Sequence, residues 1–483
     1  MTFKILLIKP YSTTGNIFQR VSGVVPPLNL AYLAGFLQKK CNETALSIEV
    51  SILDLELDPI SLPVLKEKLI SCQPDLIGFT VHTNSLPTVI LLSKIVKKIV
   101  PDVRVVLGGP HPTVEPESTL QAAPQVDFIV CNEGEQTFFE LIVKLINNDA
   151  SFDDIPGLCY RDARNEAITC TETREFIEDL ESIGSPAVEF LDYEKYLKIP
   201  QSPGIWKRTA NVFTERGCPY NCSFCASPVI NRRRVRFFPI DAVIEEIKFL
   251  KQKYRIEHVT FRDSNLTLDR RRSISLCMAM MRARLGITWN FETRVNLVDP
   301  RLLKIMKAAG CIKISFGVES GSPRILKKIN KGITVQDIKN AFRWCKEVGM
   351  QTQAYFMAGF PTEDAKDVQA TMALIKEIKP DFLFVSTVVP LPGTQIFTEF
   401  KQRGLFIDPG RYEAFQFFYR VPSWKTMHFD MKELVKLQRR IYMSYVLSPG
   451  YILKMIKQIN GISQLKYYFG AILGFFDFLF KRR

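Results

Sequence analysis

No stretch of this 483-residue chain reaches the roughly 18–20 consecutive apolar residues that a helix needs to cross a bilayer. The nearest candidate, the terminal "YYFGAILGFFDFLFKRR", is interrupted by Asp477 and closes on Lys481, Arg482 and Arg483. That pattern suits a peripheral contact with an anionic surface, and a last helix packed on the rest of the protein is its competitor. Internal repeats and low-complexity tracts are missing too, which argues against solenoid and disordered architectures. The beginning, "MTFKILLIKPYS", has no small-residue cleavage site after a longer apolar core, and reads as a buried first strand. Acidic residues are in the minority, 50 against 64 Lys and Arg, for a formal charge of +14. An excess of that sign suits nucleic acid, an anionic membrane or an acidic substrate, and does not choose among them. Apolar residues make up 46% and charged residues 24%, ordinary for a globular protein, and the length calls for two or three domains.

A fourth cysteine is missing where it would be most expected. Eight of the eleven cysteines are scattered singly, which suits reduced thiols packed as small apolar side chains in a reducing, cytoplasmic setting. The other three, Cys218, Cys222 and Cys225, form C-x₃-C-x₂-C in "RGCPYNCSFCASP". Structural zinc takes four protein ligands, and no fourth thiol or histidine lies within the motif. A [4Fe–4S] cluster held by three cysteines leaves one iron open for a substrate or cofactor, much as catalytic zinc keeps one open position.

Periodicity places this motif. Residues 1–147 alternate helical patterns with strand candidates Phe3–Ile8, Ile48–Leu53, Leu76–Val81, Val103–Leu107 and Asp127–Val130. Runs such as "KILLI" are apolar on both faces, as in a covered parallel sheet, so a doubly wound sheet is expected. Residues 148–206 read as a small hairpin, "LCYRDARNEAITC", followed by an extended linker. A second alternating series has strand candidates Ala210–Glu215, His258–Arg262, Thr288–Thr293, Lys313–Val318, Thr352–Met357 and Phe382–Thr387. Six β-α units point to an incomplete barrel, because a full (β/α)₈ barrel needs about 250 residues. The cysteines, Asp263-Ser264-Asn265, Arg294, Glu319-Ser320-Gly321 and Gly359-Phe360-Pro361 all follow strands, at the rim where such barrels carry their sites.

At these residues the chain resembles the radical S-adenosylmethionine enzymes, over roughly 207–400. "RGCPYNCSFC" is similar to their cluster motif, "SFGVESGS" to their fourth-strand segment and "MAGFPTED" to their fifth-strand turn. The resemblance implies that Cys218, Cys222 and Cys225 hold a [4Fe–4S] cluster whose fourth iron takes the amino and carboxylate groups of S-adenosylmethionine. It also implies that Phe224 lies by the adenine, Glu319 near the cofactor, and Gly359 and Pro361 against the adenine. Asp263 and Arg294, on the same rim, are candidates for the cofactor's ribose or carboxylate.

Residues 1–147 resemble the cobalamin-binding domain that precedes the radical module in one large subfamily, through "PPLNLAYLAGFL", "GFTVHTN", "GGPHPT" and "CNEGEQTF". Thr80, His82, Gly108, Gly109, His111, Glu133 and Gly134 are the cobalamin-contact candidates this implies. The Asp-x-His-x-x-Gly of methionine-synthase-type domains is replaced by "LDLELDP", so no histidine is offered to cobalt from there, and the usual Gly-Glu-Gly-Glu is Asn132-Glu133-Gly134-Glu135. The expected architecture is α/β: a doubly wound cobalamin-binding-like domain (1–147), a hairpin and linker (148–206), a partial (β/α)₆ barrel (207–405) and a helical C-terminal region (406–483) with an apolar, basic tail. The expected activity is cobalamin-dependent radical methylation of an unactivated carbon in a lipid, isoprenoid or tetrapyrrole-type molecule, with oxidative cyclisation as the alternative. A reducing electron-donor protein, peripheral membrane association through the tail and no nucleic-acid partner complete the expectation. An iron–sulfur electron carrier and a zinc-bearing nucleic-acid binder are the rivals from other classes. Arg232-Arg233-Arg234 has no aromatic platform beside it, which weakens the last.

Overall fold

Runs that are apolar on both faces become the covered strands of two parallel sheets. The computed structural model describes residues 2–11, 24–44, 46–162, 167–416, 423–457, 461 and 464. The chain divides into two compact units, one of residues 1–14, 26–196 and 229–231, the other of 15–25, 197–228 and 232–483.

In the first unit, β1 (Phe3–Lys9), β2 (Ile48–Asp54), β3 (Leu76–Thr80), β4 (Arg104–Gly108) and β5 (Phe128–Val130) pair in parallel. Their order, β2-β1-β3-β4-β5, is the doubly wound arrangement expected from the apolar runs, with its switch point beside β1 and β3. All five residues of β3 are buried, which explains why that stretch shows no alternation. The helices Leu28–Glu43, Leu62–Cys72, Leu86–Ile99 and Gly134–Ile146 connect the strands. Phe138, Leu141 and Ile142 of the last of these pack in a common core with Leu7, Leu76 and Val106.

The hairpin strands β6 (Leu158–Arg161) and β7 (Ile168–Cys170) extend this sheet antiparallel to β5. Two expectations are corrected here. Cys159 and Cys170 were read as separate reduced thiols; the hairpin register sets them directly opposite, and they form a disulfide. The stretch read as an extended linker contains three short helical turns, Leu180–Ile183, Val188–Phe190 and Tyr193–Leu197. Leu180, Ile183, Ala187 and Leu191 are buried, and the Ala187 amide donates to the Ala31 carbonyl of the first helix (3.0 Å). Spacings of three and four residues between buried positions make turns that an extended chain cannot provide.

The second unit carries β8 (Thr209–Val212), β11 (His258–Phe261), β12 (Thr288–Thr293), β13 (Cys311–Glu319), β14 (Gln351–Ala358) and β15 (Phe382–Thr387). They pair in parallel and in chain order, with β8 and β15 at the edges, so the sheet is an open six-stranded barrel. Trp289, Phe261 and Phe291 are buried and pack ring against ring on the sheet face that bears the helices, where the Trp289 indole donates to the Ala309 carbonyl (2.8 Å). The open edge at β15 is closed by the helix Met431–Val446. Its Tyr442 hydroxyl accepts from the Val385 amide (2.7 Å), and its Gln438 amide donates to the Val385 carbonyl (2.7 Å). A sheet edge left bare would be a pairing hazard, and these two side chains occupy it.

The barrel interior also buries charge and polarity. His258 lies between Thr288 and Asn290. Its Nε2–H donates to the Asn290 carbonyl oxygen (2.6 Å), so Nδ1 accepts from the Thr288 hydroxyl (2.8 Å). Lys313 is fully buried, and its ammonium donates to the Ser202 hydroxyl, the Pro203 carbonyl (3.0 Å) and Gln353 (3.3 Å). Burial pushes the Lys313 amine down to about 7 from 10.5. Between those two values the unfolded chain holds the proton that the folded chain has lost, so this residue makes stability rise with pH, by at most about 1.4 kcal/mol per unit. Denaturant unfolding at pH 7 and pH 9 should therefore show a larger gain for the wild type than for Lys313→Met. Equal gains would mean that Lys313 stays charged inside the barrel.

Candidate active site

The cysteine loop is set by what surrounds its first turn. β8 stops at Val212, and a separate strand, β9 (Glu215–Gly217), pairs antiparallel with β10 (Val235–Phe237). The break comes from Asp263, whose buried carboxylate accepts from the Thr214 amide (2.7 Å), the Thr214 hydroxyl (2.8 Å) and the Glu215 amide (3.0 Å). Gly217 has φ +101°, and a Cβ there would lie 1.9 Å from the Arg234 carbonyl oxygen, so only glycine fits just before Cys218. Downstream, the Ser223 amide donates to the Ile329 carbonyl (3.0 Å) and the Asn330 side chain to the Asn221 carbonyl (2.9 Å). The loop is thus held from both sides.

Cys218, Cys222 and Cys225 line one cavity of about 560 Å³, together with Phe224, Arg294, Glu319 and Lys331. Each cysteine sulfur receives an N–H: Asn265 Nδ2 to Cys218 (3.2 Å), Arg294 Nη1 to Cys222 (3.5 Å) and the Ser227 amide to Cys225 (3.4 Å). Burial pushes the Cys218 thiol up and the Cys225 thiol to about 11 in the metal-free protein, so binding a metal group releases their protons. Among the described residues, no three His, Cys, Asp or Glu side chains converge closely enough to hold one metal ion. A structural zinc needs such convergence. Three thiols arranged around a cavity fit a larger group, and the donor chemistry suits a [4Fe–4S] cluster.

In the same lining, Glu319 ends β13 at φ +68°, just past a register shift. Its carboxylate pairs with Lys331 Nζ at 2.7 Å, both side chains being buried. A Cβ on Gly317 would come within 2.7 Å of Glu319 Oε1 and 2.9 Å of Lys331 Nζ, so the glycine makes room for the pair. The rest of the lining is mainly apolar, with Phe356, Met357, Phe384, Val389 and Leu391.

Three of the expected cofactor residues lie outside this lining. Asp263 spends its carboxylate on Thr214 and Glu215, and its neighbour Asn265 reaches the cavity instead. Gly359 (φ +98°) donates its amide to the buried Glu363 carboxylate (2.6 Å), and the Pro361 carbonyl accepts from the Met427 amide (2.9 Å). Between them Phe360 packs edge-on against Phe224, ring centres 6.2 Å apart. The turn therefore bears on the cavity through Phe224. Asn265, Lys331 and Tyr220 had no role in the sequence reading. Asn265 stood in the quoted rim triplet, while nothing local marked Lys331.

In the first unit, the expected cobalamin contacts gather at the carboxyl ends of adjacent strands β3, β4 and β5. Thr80 accepts from Asn29 Nδ2 (2.8 Å), and His82 is exposed just beyond it. His111 is buried against the Thr83 hydroxyl (3.2 Å), and burial pushes its imidazole down to about 4. Gly108 ends β4, and Gly109 follows with φ +104°. A Cβ on Gly109 would lie 2.9 Å from the Val81 amide nitrogen, so bare backbone is exposed at this strand end. Glu133 accepts from the Ile177 amide (3.0 Å), and Gly134 opens the helix after β5. Bare backbone at Gly108 and Gly109, at the carboxyl end of a strand next to β3 in a doubly wound sheet, fits close approach by a large flat group such as cobalamin. In "LDLELDP", Asp54 is already engaged by the Tyr196 hydroxyl (2.5 Å) and Lys9 (3.3 Å), and no histidine is present.

Comparison with known proteins agrees with this geometry. The model of the radical SAM superfamily matches residues 212–375, and that of the B12 binding domain matches residues 17–142. An uncharacterized methyltransferase of Pyrococcus horikoshii is 32% identical over 461 residues, 95% of each chain. The anaerobic magnesium-protoporphyrin IX monomethyl ester cyclase of Rubrivivax gelatinosus is 28% identical, over 99% of this chain and 83% of its own. Among solved structures, the radical S-adenosylmethionine methyltransferase TsrM from Kitasatospora setae, with tryptophan substrate and a SAM analog bound, superposes with TM-score 0.73 at 18% identity. That match covers 98% of this chain and 95% of TsrM, and it shows the shared fold.

Proposed function

The chain belongs to the cobalamin-dependent radical S-adenosylmethionine methyltransferase family, and from that premise we propose that it methylates an unactivated carbon of a tetrapyrrole, isoprenoid or lipid-type molecule. The observation that carries the reading is the single cavity lined by three cysteines, a buried Glu319–Lys331 pair and an apolar wall. When bound, the cluster with S-adenosylmethionine supplies a hydrogen-abstracting radical, and cobalamin supplies the methyl group.

The chain's own residues do the rest. Cys218, Cys222 and Cys225 hold the cluster and leave one iron for S-adenosylmethionine. Phe224, braced by Phe360, offers an aromatic face, and the Glu319 carboxylate, fixed by Lys331, an acceptor. Phe356, Met357 and Phe384 shed water from the reacting carbon. The strand-end residues Thr80, His82, Gly108, Gly109, His111, Glu133 and Gly134 take cobalamin. The substrate is a small molecule, and turnover needs a one-electron reductant. Similarity to the cyclase favours a second reading, oxidative ring closure without methyl transfer, and also supports the tetrapyrrole class.

The test is anaerobic reconstitution of the full chain with iron, sulfide and cobalamin, then S-adenosylmethionine, reductant and magnesium-protoporphyrin monomethyl ester. About four irons and one cobalt per chain, with 5′-deoxyadenosine formed, are expected. A product heavier by one methylene identifies methylation, whereas a product that gains a ring and no methyl identifies cyclisation. Absence of both cobalt retention and 5′-deoxyadenosine would end the proposal. Spectroscopy of the bound cobalamin should show no histidine nitrogen on cobalt, because "LDLELDP" offers none and His111 is committed to Thr83. A coordinated imidazole would contradict this and point to His82.

Membrane contact is the second part of the proposal. The tail 465–483, on which that expectation rests, lies outside the described residues. The described helix Pro449–Lys457 leaves Ile452, Leu453 and Ile456 exposed, and no described helix is long and apolar enough to span a bilayer. Deleting 465–483 should release the protein from anionic liposomes in co-sedimentation. Changing only Lys481, Arg482 and Arg483 to Gln should weaken binding by about 1 kcal/mol per cation and reduce its salt sensitivity. Unchanged sedimentation with a lowered melting temperature would assign the tail to packing.

A further inference from the structure

The three cysteine sulfurs do not share donors: each has its own N–H, from the Asn265 side chain, the Arg294 guanidinium and the Ser227 backbone. Two of the three donors come from side chains at the ends of different barrel strands, β11 and β12, rather than from the loop itself. Arg294 is the more telling. It is buried, its guanidinium carbon sits 3.8 Å from the centre of the Tyr220 ring, and no carboxylate pairs with it among the described residues. Its Nε is buried without a hydrogen-bond partner. A buried guanidinium with no counter-ion is costly unless an anion shares the site. The cluster, with three thiolates, is that anion. Asn265 is also fixed: its backbone amide donates to Glu215 Oε1 (3.2 Å), which aims the side-chain amide at Cys218.

We propose that Asn265 and Arg294 are positioning residues that set the reduction potential of the cluster. This rests on the reading of Cys218, Cys222 and Cys225 as its ligands. Reduction adds one electron to the cluster and breaks no bond. Hydrogen bonds to the cysteine sulfurs and a nearby fixed cation stabilise the added negative charge, and so raise the potential. Both residues therefore make the first step easier for the external one-electron donor. Asn265 acts through a dipole, whereas Arg294 contributes a full charge in a water-poor place, so the second effect is larger.

The experiment is an EPR-monitored redox titration of the reconstituted full chain, with iron counted on the same samples, for Asn265→Leu, Asn265→Asp, Arg294→Met and Arg294→Lys. Asn265→Leu should keep wild-type iron and lower the reduced-to-oxidised ratio at a fixed potential about tenfold, a shift of about 59 mV for one electron. Asn265→Asp, of the same shape but acceptor-only, should fall further. Arg294→Met should exceed Asn265→Leu, and Arg294→Lys, which keeps the charge, should recover part of the loss. If Asn265→Leu and Arg294→Met keep their iron and titrate at the wild-type potential, the proposal is overturned. Loss of iron in all four variants overturns it equally, because the contacts would then serve assembly of the cluster. A wild-type protein with no cluster signal would instead refute the functional reading itself.

Discussion

Cys222→Ala is expected to lose the bound iron and the visible absorbance of the cluster, and to stop 5′-deoxyadenosine formation altogether. A cluster with only three protein ligands has none to spare, and the open iron must stay open for the cofactor to reach it. Within this unit no other thiol is placed to substitute. Cys277, Cys311 and Cys345 are buried in the barrel's packing, and burial pushes the Cys277 and Cys345 thiols to about 12. Cys222 also accepts the Arg294 N–H, so its loss leaves that buried cation with one contact fewer. Removing one oxygen-anion donor from an ordinary active site costs about 10²–10³ in rate. Removing a ligand of the reactive group itself should take turnover to background. Cys345→Ala is the control: it should keep full iron and activity while losing some stability through packing. Iron and sulfide counts on both proteins decide the matter, and full iron in Cys222→Ala would refute the ligand assignment.

Much of this site was legible because its elements are local. Strand ends could be placed to within a residue or two where two-faced apolar runs such as "KILLI" stop at polar rims, but the strand expected over Ala210–Glu215 ends three residues earlier, at Val212. The cysteine spacing carried the proposal of a cluster, and Arg294 and Glu319, placed on the rim by counting β-α units, line the same cavity as the three cysteines. What escaped was set by tertiary contacts. Asp263 was expected to face the cofactor, yet the two amides of Thr214 and Glu215 are nearer partners and turn it inward. The Cys159–Cys170 disulfide depends on hairpin register, which spacing alone does not reveal. Lys331 lies in the polar stretch "KKINKGI" with no periodic mark, and only the fold brings its amine to Glu319.

Lys331→Met should be the most destabilising single change at this site, because it strands a carboxylate. Glu319 is held in the left-handed region at φ +68°, where a residue with a Cβ sits at a cost of roughly 1–2 kcal/mol, and its side chain is 8% exposed. Lys331 neutralises it at 2.7 Å, with its own side chain 7% exposed. Taking away one member of a buried ion pair costs about 3–5 kcal/mol, mostly from the charge left behind. At about 2–4 °C per kcal/mol for a unit of this size, the melting temperature of the cluster-free protein should fall by on the order of 10 °C. The double variant Lys331→Met/Glu319→Gln should recover most of that loss, since neither charge then remains buried. Recovery of stability need not bring recovery of function. If Glu319 presents its carboxylate to S-adenosylmethionine, the double variant should fold well yet bind the cofactor weakly, as measured by calorimetric titration of the reconstituted protein. Wild-type cofactor affinity in the stable double variant would confine the pair to shaping the end of β13, and a single variant that loses under 1 kcal/mol would show that the Glu319 charge escapes burial by another route.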